Sequence, residues 1–388
     1  MFLALAKYIP RSALVVLLVL TLAAVAGFAA VGHLVTRFNL NQQARGRQLY
    51  AMGAADLSSG RADRAIDEFR AALTCDRTNS QYQLNLGRAL RDTGRLDEAD
   101  SYLQSLWQRT PDDGAINLAL ARVAAKRGSI DDATRYYHNA MFGAWTSDPD
   151  VYRRNARLEL IEFLLQRNAR AQAQSELVAL AALLPVVPAL HLQAAQFMAQ
   201  AQDYPNAFSE YEKVLRLDRG NAAALAGAGD VAYRAGRYRT AQRYLEDAIN
   251  ANPQDANARD LLAAASMILE TDPFVRRISD AERNRRISAA FATAGERLTA
   301  CAQQKGVLLT QANADASQSS PLAELQSHWI ASKRDLPHLS SAGEADLPDA
   351  IMDLVFQIEQ QTANDCGEPR GQNQALLLIS RDREAADQ

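Results

Sequence analysis

Hydrophobic and polar positions along the 388-residue chain follow two patterns that predict different elements. Residues 12–32 (SALVVLLVLTLAAVAGFAAVG) carry no charge, and 21 residues at about 1.5 Å each reach across the hydrocarbon core of a bilayer. The apolar run continues to Val35 and Thr36, interrupted only by His33, so the pattern predicts one transmembrane helix or signal anchor over 12–36. From 46 to 255 it becomes a ladder with a 34-residue step. Ala65, Ala99, Ala133, Ala173, Ala207 and Ala241 hold one place in six successive units, and four residues after each stands a larger side chain: Phe69, Leu103, Tyr137, Leu177, Tyr211 and Leu245. Gly60, Gly94, Gly128 and Gly236 precede four of the alanines by five residues, and Pro111, Pro185 and Pro253 close three units.

Each unit is predicted to be a pair of helices. Glycine takes the backbone conformation that ends a helix without a Cβ penalty, and proline cannot continue one. The alanines are small where paired helices approach closely, and the large residue is expected to pack into the neighbouring unit. Units 46–79, 80–113 and 114–147 run without a gap. Residues 148–153 (DPDVYR) then shift the register before 154–187, 188–221 and 222–255, which predicts a lengthened first helix or loop, or a hinge between two half-arrays. A polar connector, 37–45, precedes the array. A capping helix at 256–271 follows it, of the kind terminal repeats need, broken by Asp272-Pro273.

The remainder, 272–388, is predicted to be a small helical module. Phe274, Ile278, Phe291, Leu298 and Cys301 recur with mostly helical spacing, with Ala281, Ala290 and Ala294 on the same face. A polar linker over 307–320 separates this helix from one opened by Pro321 and another opened by Pro348, whose buried stripe is Ile351, Leu354, Val355 and Ile358. Residues 374–381 fit a last helix or an edge strand.

The ladder resembles the tetratricopeptide repeat, whose pattern over 34 residues is a Leu-Gly pair, a large residue, an Ala, an aromatic and a closing Pro. Leu86-Gly87 with Leu90, Ala99 and Pro111 is the fullest match, and Gly53 and Gly229 supply the early glycine in the first and sixth units. Asn168 and Gln202 replace the turn glycine, and Arg77, Trp145 and Arg219 replace the proline. The resemblance implies an all-α superhelical solenoid whose first helices line a concave groove for extended peptides or partner helices. Some relatives hold a chaperone carboxyl terminus with lysines and asparagines at set places; here those places include Tyr50, Ala54, Gln81, Asn85 and Ala119, so that clamp is absent.

On the resemblance's groove positions stand Arg88, Arg91 and Arg122, and farther along Glu162, Gln196, Asp230 and Tyr233. An arginine pair can hold a carboxylate by charge-assisted hydrogen bonds; the plainer alternative is arginines solvating a helix face. Cys301 and Cys366 fit either a disulfide or two buried thiols, and Cys75 fits core. Arg276, Arg277, Arg283, Arg285 and Arg286 form a basic cluster that suits lipid head groups, an acidic partner, or solvent.

Composition narrows the function classes. A net charge of −3 argues against nucleic-acid binding. The five histidines are scattered, and phosphate-loop, nucleophile-elbow and zinc spacings are missing, so neither a catalytic residue nor a metal or cofactor is expected. Lys7 and Arg11 before the apolar run favour a cytoplasmic amino end and extracytoplasmic repeats in a cytoplasmic membrane, although Arg37, Arg45 and Arg47 beyond it weaken the bias. Ala24-Val25-Ala26 before Gly27 also fits a signal-peptidase site, which would give a secreted soluble protein. The expected function is a non-catalytic scaffold that binds protein partners and serves assembly of a bacterial cell-envelope complex. Its rival is an enzyme or ligand-binding module in 272–388 served by the repeats.

Overall fold

The computed structural model describes residues 11–307, 320–339 and 346–386, and among these it is helical with one isolated bridge, Asp113 to Ala144, and no strand. The expectations for Lys7 and most of the 307–320 linker lie outside the described residues. Two compact units divide between Ala169 and Arg170.

Unit 1 contains α1 (Arg11–Ser58), α2 (Ala62–Cys75), α3 (Ser80–Asp92), α4 (Leu96–Trp107), α5 (Gly114–Arg127), α6 (Ile130–Phe142) and α7 (Pro149–Gln166). Helix α1 runs unbroken for 48 residues, so the apolar segment, the polar connector and the first repeat helix are one rod. It is long and apolar enough to cross a membrane, with a mean hydropathy of 2.6 over its most apolar stretch, which is 0% buried. The six-residue slip is absorbed by lengthening: α7 has 18 residues and opens on Pro149 at its first turn, where a missing N–H leaves no lost bond.

All six ladder alanines are fully buried. In units with an early glycine, the large residue packs against the first helix of its own pair. A Cβ on Gly53 would lie 2.8 Å from the Phe69 ring, one on Gly87 2.8 Å from Leu103, and one on Gly229 2.6 Å from Leu245. The glycine removes the side chain that would hold the two helices apart, and the bulky residue fills the space. Tyr211 also reaches the next pair, where its ring closes on the Cβ position of Gly227.

The turn positions keep one backbone geometry whatever residue occupies them. Gly60, Gly94, Gly128 and Gly236 have φ between 70° and 80°, and Asn168 (62°) and Gln202 (61°) adopt the same left-handed state. Asparagine tolerates that region better than most residues, so the turn survives in the fourth unit at a modest strain. Trp145, in place of a closing proline, folds over the start of α5: its Nε1 donates to Ala140 O at 2.9 Å, and its ring stacks on Tyr152 at 4.5 Å.

Unit 2 contains α8 (Arg170–Ala181), α9 (Pro188–Gln200), α10 (Tyr204–Leu217), α11 (Ala222–Arg234), α12 (Tyr238–Ala251), α13 (Ala256–Thr271), α14 (Asp280–Lys305), α15 (Pro321–Ser332), α16 (Leu347–Cys366) and α17 (Gln372–Ala386). The last segment is therefore a helix and not an edge strand. Residues 274–279 lie outside α14, and Ala281 is exposed, so the buried face of this helix begins at Ile287 and continues through Phe291, Ala294 and Leu298.

The core of the carboxyl-terminal helices is continuous with the end of the repeats. Ile268 of α13 belongs to the same cluster as Ile287, Leu298, Val355 and Leu376, with Tyr233 and Tyr238 packed against it. Cys301 and Cys366 form a disulfide that ties α14 to α16. One turn away, Arg297 donates to Thr362 Oγ1 (2.8 Å) and to the Gly367 carbonyl (2.7 Å) and lies 3.3 Å from the fully buried Glu359.

Candidate functional site

The first helices of unit 1 bring Arg88, Arg91 and Arg122 together as three donors in unlike states. On α3, Arg88 Nη1 donates to Asn85 Oδ1 at 3.1 Å, and Asn85 in turn donates to the Tyr50 hydroxyl at 2.6 Å. The Nε of Arg88 is buried without a hydrogen-bond partner. Burial first, then the charges of Arg122 and Arg91, lower the pKa of this guanidinium, so the three cations feel one another. Arg91 pairs with the adjacent Asp92 at 2.7 Å, yet its Nη1 is likewise buried and unpartnered.

Arg122, on α5, is committed. It grips Glu159 of α7 with two bonds of 2.8 and 2.6 Å, and the Tyr137 hydroxyl adds a third contact to that carboxylate at 3.4 Å. The bidentate bond to Glu159 outweighs burial and raises the pKa of Arg122, while burial and the Glu159 charge push the Tyr137 phenol well above its ordinary range. Sequence reasoning placed Arg122 in the groove but missed this tie, because Glu159 reaches it only through the register of the lengthened α7.

A pocket of about 540 Å³ opens beside these residues, lined by Arg91, Arg122, Lys126, Glu159, Glu162 and Arg167, with Tyr137 and Phe163 as its apolar wall. Lys126 Nζ donates to the Arg91 carbonyl at 3.0 Å, which closes the α3–α5 edge. With Asp92 also in the lining, four cationic side chains face three acidic ones here, and the Arg91 Nη1 has no acceptor. Such a site suits a carboxylate-bearing segment.

The residues expected farther along divide differently. Gln196 is exposed on α9. Asp230 is engaged by Arg234 at 2.9 Å, so its charge is spent within α11. Tyr233 is not a groove residue: its ring meets Tyr238 edge-on at 5.5 Å and packs on the carboxyl-terminal core. Tyr238 is bonded to Asp382 of α17, and Asp382 also sits where a Cβ on Gly236 would be.

The basic cluster near α14 is largely neutralised within the chain. Arg283 pairs with Asp280, both Arg285 and Arg286 pair with Glu282, and Arg286 also donates to the Leu269 and Asp272 carbonyls that end α13. Those bonds hold the Glu282 carboxyl down to about 2. Among the described residues no group of three His, Cys, Asp or Glu could hold a metal ion. A second cleft, of about 510 Å³ between α14 and α15, is lined by Phe291, Thr299, Trp329 and Leu336, with Glu296 and Lys333 as its charged groups.

Comparison with protein families matches the tetratricopeptide-repeat model at residues 56–123 and 198–265. A comparison with curated proteins found no match. Among solved structures, the tetratricopeptide-repeat protein YrrB is 16% identical at a TM-score of 0.38, covering 50% of this chain and 96% of its own. PilF of Pseudomonas aeruginosa is 17% identical at 0.39, covering 57% and 99%. A repeat-containing protein of Cytophaga hutchinsonii is 14% identical at 0.44, covering 62% and 93%. The family matches fall on observed helix pairs with glycine-gated contacts and left-handed turns, so the chain carries tetratricopeptide repeats at 56–123 and 198–265.

Proposed function

We propose that the protein is a membrane-tethered, non-catalytic adaptor that holds an acidic segment of a partner protein on the first helices of unit 1. The observation that carries this reading is the buried, acceptor-less Nη1 of Arg91 in the lining of a pocket that holds four cationic and three acidic side chains, with a second unpartnered nitrogen, Arg88 Nε, one turn back on the same helix. A buried donor without an acceptor is unfavourable, and an incoming carboxylate that reaches Arg91 relieves that cost. Tyr137 and Phe163 supply the apolar wall that such a segment packs on.

Tethering by α1 would keep the site close to a bilayer and raise the effective concentration of a membrane partner. Because α1 runs into the first repeat without a flexible joint, the tether would also fix the orientation of that repeat. The Cys301–Cys366 disulfide supports an oxidising, extracytoplasmic setting for the repeats, and a cell-envelope complex is the assembly this suits.

The test is a set of twelve-residue peptides, acidic, neutral and basic, each with one aromatic, titrated against full-length protein in detergent. Acidic peptides should bind tightest and weaken as salt rises. Arg88→Glu with Arg91→Glu should lower their affinity by tenfold or more with unchanged helicity. Equal binding of all three classes, or no effect of the charge reversal, would overturn the reading.

A further inference from the structure

The charges of the unit 1 site change sign along the order in which its helices succeed one another. Arg88 of α3, Arg122 of α5 and Glu162 of α7 hold one place in the repeat, 34 residues apart once the six-residue slip is allowed for. The three helices follow one another across the groove. Lys126 of α5 donates to the Arg91 carbonyl of α3, and Arg122 of α5 holds Glu159 of α7.

Most of these charges are spent, and those that are not lie toward opposite ends. Arg122 and Glu159 neutralise each other in the middle. On the α3 side Arg91 keeps its unpartnered Nη1, and Lys126 turns its ammonium toward the same helix. On the α7 side Glu162 is exposed in the pocket lining and makes no ion pair or side-chain hydrogen bond among the described residues. Arg167 stands apart from this row, at the turn end of the pocket. Its Nη2 is 2.8 Å from where a Cβ on Gly128 would be, and its guanidinium lies 5.7 Å from the Phe163 ring centre. Between the two ends, Ala125 of α5 occupies the place that Arg91 holds in α3, and its short side chain leaves room in the pocket.

We propose that the partner segment is itself bipolar: an extended stretch with a carboxylate over α3 and a lysine or arginine over Glu162 of α7. This rests on the reading that the site takes an acidic segment, and adds what stands at that segment's other end. Neighbouring helix axes lie about 8–10 Å apart, so the strip from α3 to α7 is roughly 18 Å wide, and an extended chain rises about 3.3 Å per residue. The two charges of the partner therefore stand about five or six positions apart. They do different work. The carboxylate meets a buried donor that lacks an acceptor and carries affinity, whereas the cation meets an exposed glutamate, a weak pair, and fixes register. A segment with acids at both ends would bring like charge onto Glu162.

The test titrates twelve-residue peptides, each with one aromatic, against full-length protein in detergent at physiological ionic strength. In the first, an aspartate and a lysine stand six positions apart; in the second, of identical composition, they stand three apart. A third replaces the lysine by glutamine, and a neutral fourth replaces both charges. The six-apart peptide should bind about threefold tighter than the second and third, the size of one exposed ion pair. Glu162→Lys should remove that margin and favour a peptide with two aspartates six apart. Arg91→Gln should weaken the three acid-bearing peptides by a similar factor, and both variants should keep their helicity. Equal binding of the six-apart and three-apart peptides, or an unchanged ranking in Glu162→Lys, overturns the bipolar partner. If acid-bearing peptides then still bind tighter than the neutral one, the acidic-segment reading stands without it. If none does, that reading and this inference fall together.

Discussion

The first helices of unit 1 and the last repeat of unit 2 obey the same packing rule and end with opposite surfaces. In both, an early glycine lets a leucine from the paired helix close the gap: Gly87 with Leu103, Gly229 with Leu245. On unit 1 the neighbouring positions leave Arg88 and Arg91 with unpartnered nitrogens beside an open pocket. On unit 2 the groove position Tyr233 is packed on the carboxyl-terminal core, and Tyr238 is bonded to α17. Repeat position dictates how helices pair; whether a surface stays available depends on the helices that come after the array in the chain.

Breaking the staple of unit 2 gives the largest expected separation between the regions. The Cys301–Cys366 bridge closes 65 residues, a constraint of about 4 kcal/mol in the chain-entropy account. With both cysteines replaced by serine, hydrogen exchange should accelerate in α14 and α16 and stay unchanged in α2–α6. Uniform acceleration would show that the two units unfold as one.

A smaller effect, on the order of a few kcal/mol, should come from Glu359. Burial, only partly offset by Arg297, raises its carboxyl to about 8 in the folded chain, against an ordinary value of 4.5. The unfolded chain therefore ionises first. The folded module has its full advantage below about pH 4.5 and loses it as pH rises to about 8. Denaturant midpoints read at Trp329 should fall across this window, and Glu359→Gln should flatten the profile. A flat wild-type profile would show that the Arg297 pair keeps Glu359 ionised.

The shared packing rule is sharpened by Gly87→Val and Gly229→Val. Replacing a helix-interior glycine by β-branched valine gains only about 0.3 kcal/mol of propensity, while overpacking costs about 1–3 kcal/mol, so both variants should be destabilised, each within its own unit. Gly229→Val should cost more, because its Cβ would lie 2.6 Å from Leu245 Cγ and 3.4 Å from the Leu245 backbone N, whereas the three nearest atoms at Gly87 are all side-chain atoms of Leu103, from 2.8 Å. A double-mutant cycle on Arg122 and Glu159 gives the smallest effect. Both side chains are about one-third exposed, so the coupling should stay below about 1 kcal/mol. A larger value would make that pair a structural strut of the groove and not a charge available to a ligand.

Much of the fold was legible from residue types at fixed spacing. The small alanines, the early glycines of the first, second and sixth units, and the apolar run of α1 each name a local constraint: close approach, left-handed turn, or length without charge. The site was half legible. Arg88, Arg91 and Arg122 were placed on one face, but nothing local says that Glu159 neutralises one of them or that two nitrogens of the others remain unmet. Tyr233 was misplaced because its position in the repeat is the same whether the surface is open or covered. The charge-free stretch from Leu177 to Gln202 was present in the sequence as well, and only the exposure of Leu183 and Val186 distinguishes it from core.

By itself the sequence determined the periodic part of this protein: paired helices, their turns, the small residues at their crossings and a candidate membrane span, because each depends on neighbours within one repeat. The tertiary structure alone decided the partners of the charges, the joining of Cys301 to Cys366, the docking of α17 on the last repeat and the exposure of the α8–α9 loop. Those outcomes depend on contacts between residues twenty to more than a hundred positions apart, such as Arg122 with Glu159 and Tyr238 with Asp382, and no periodicity specifies which distant side chain arrives.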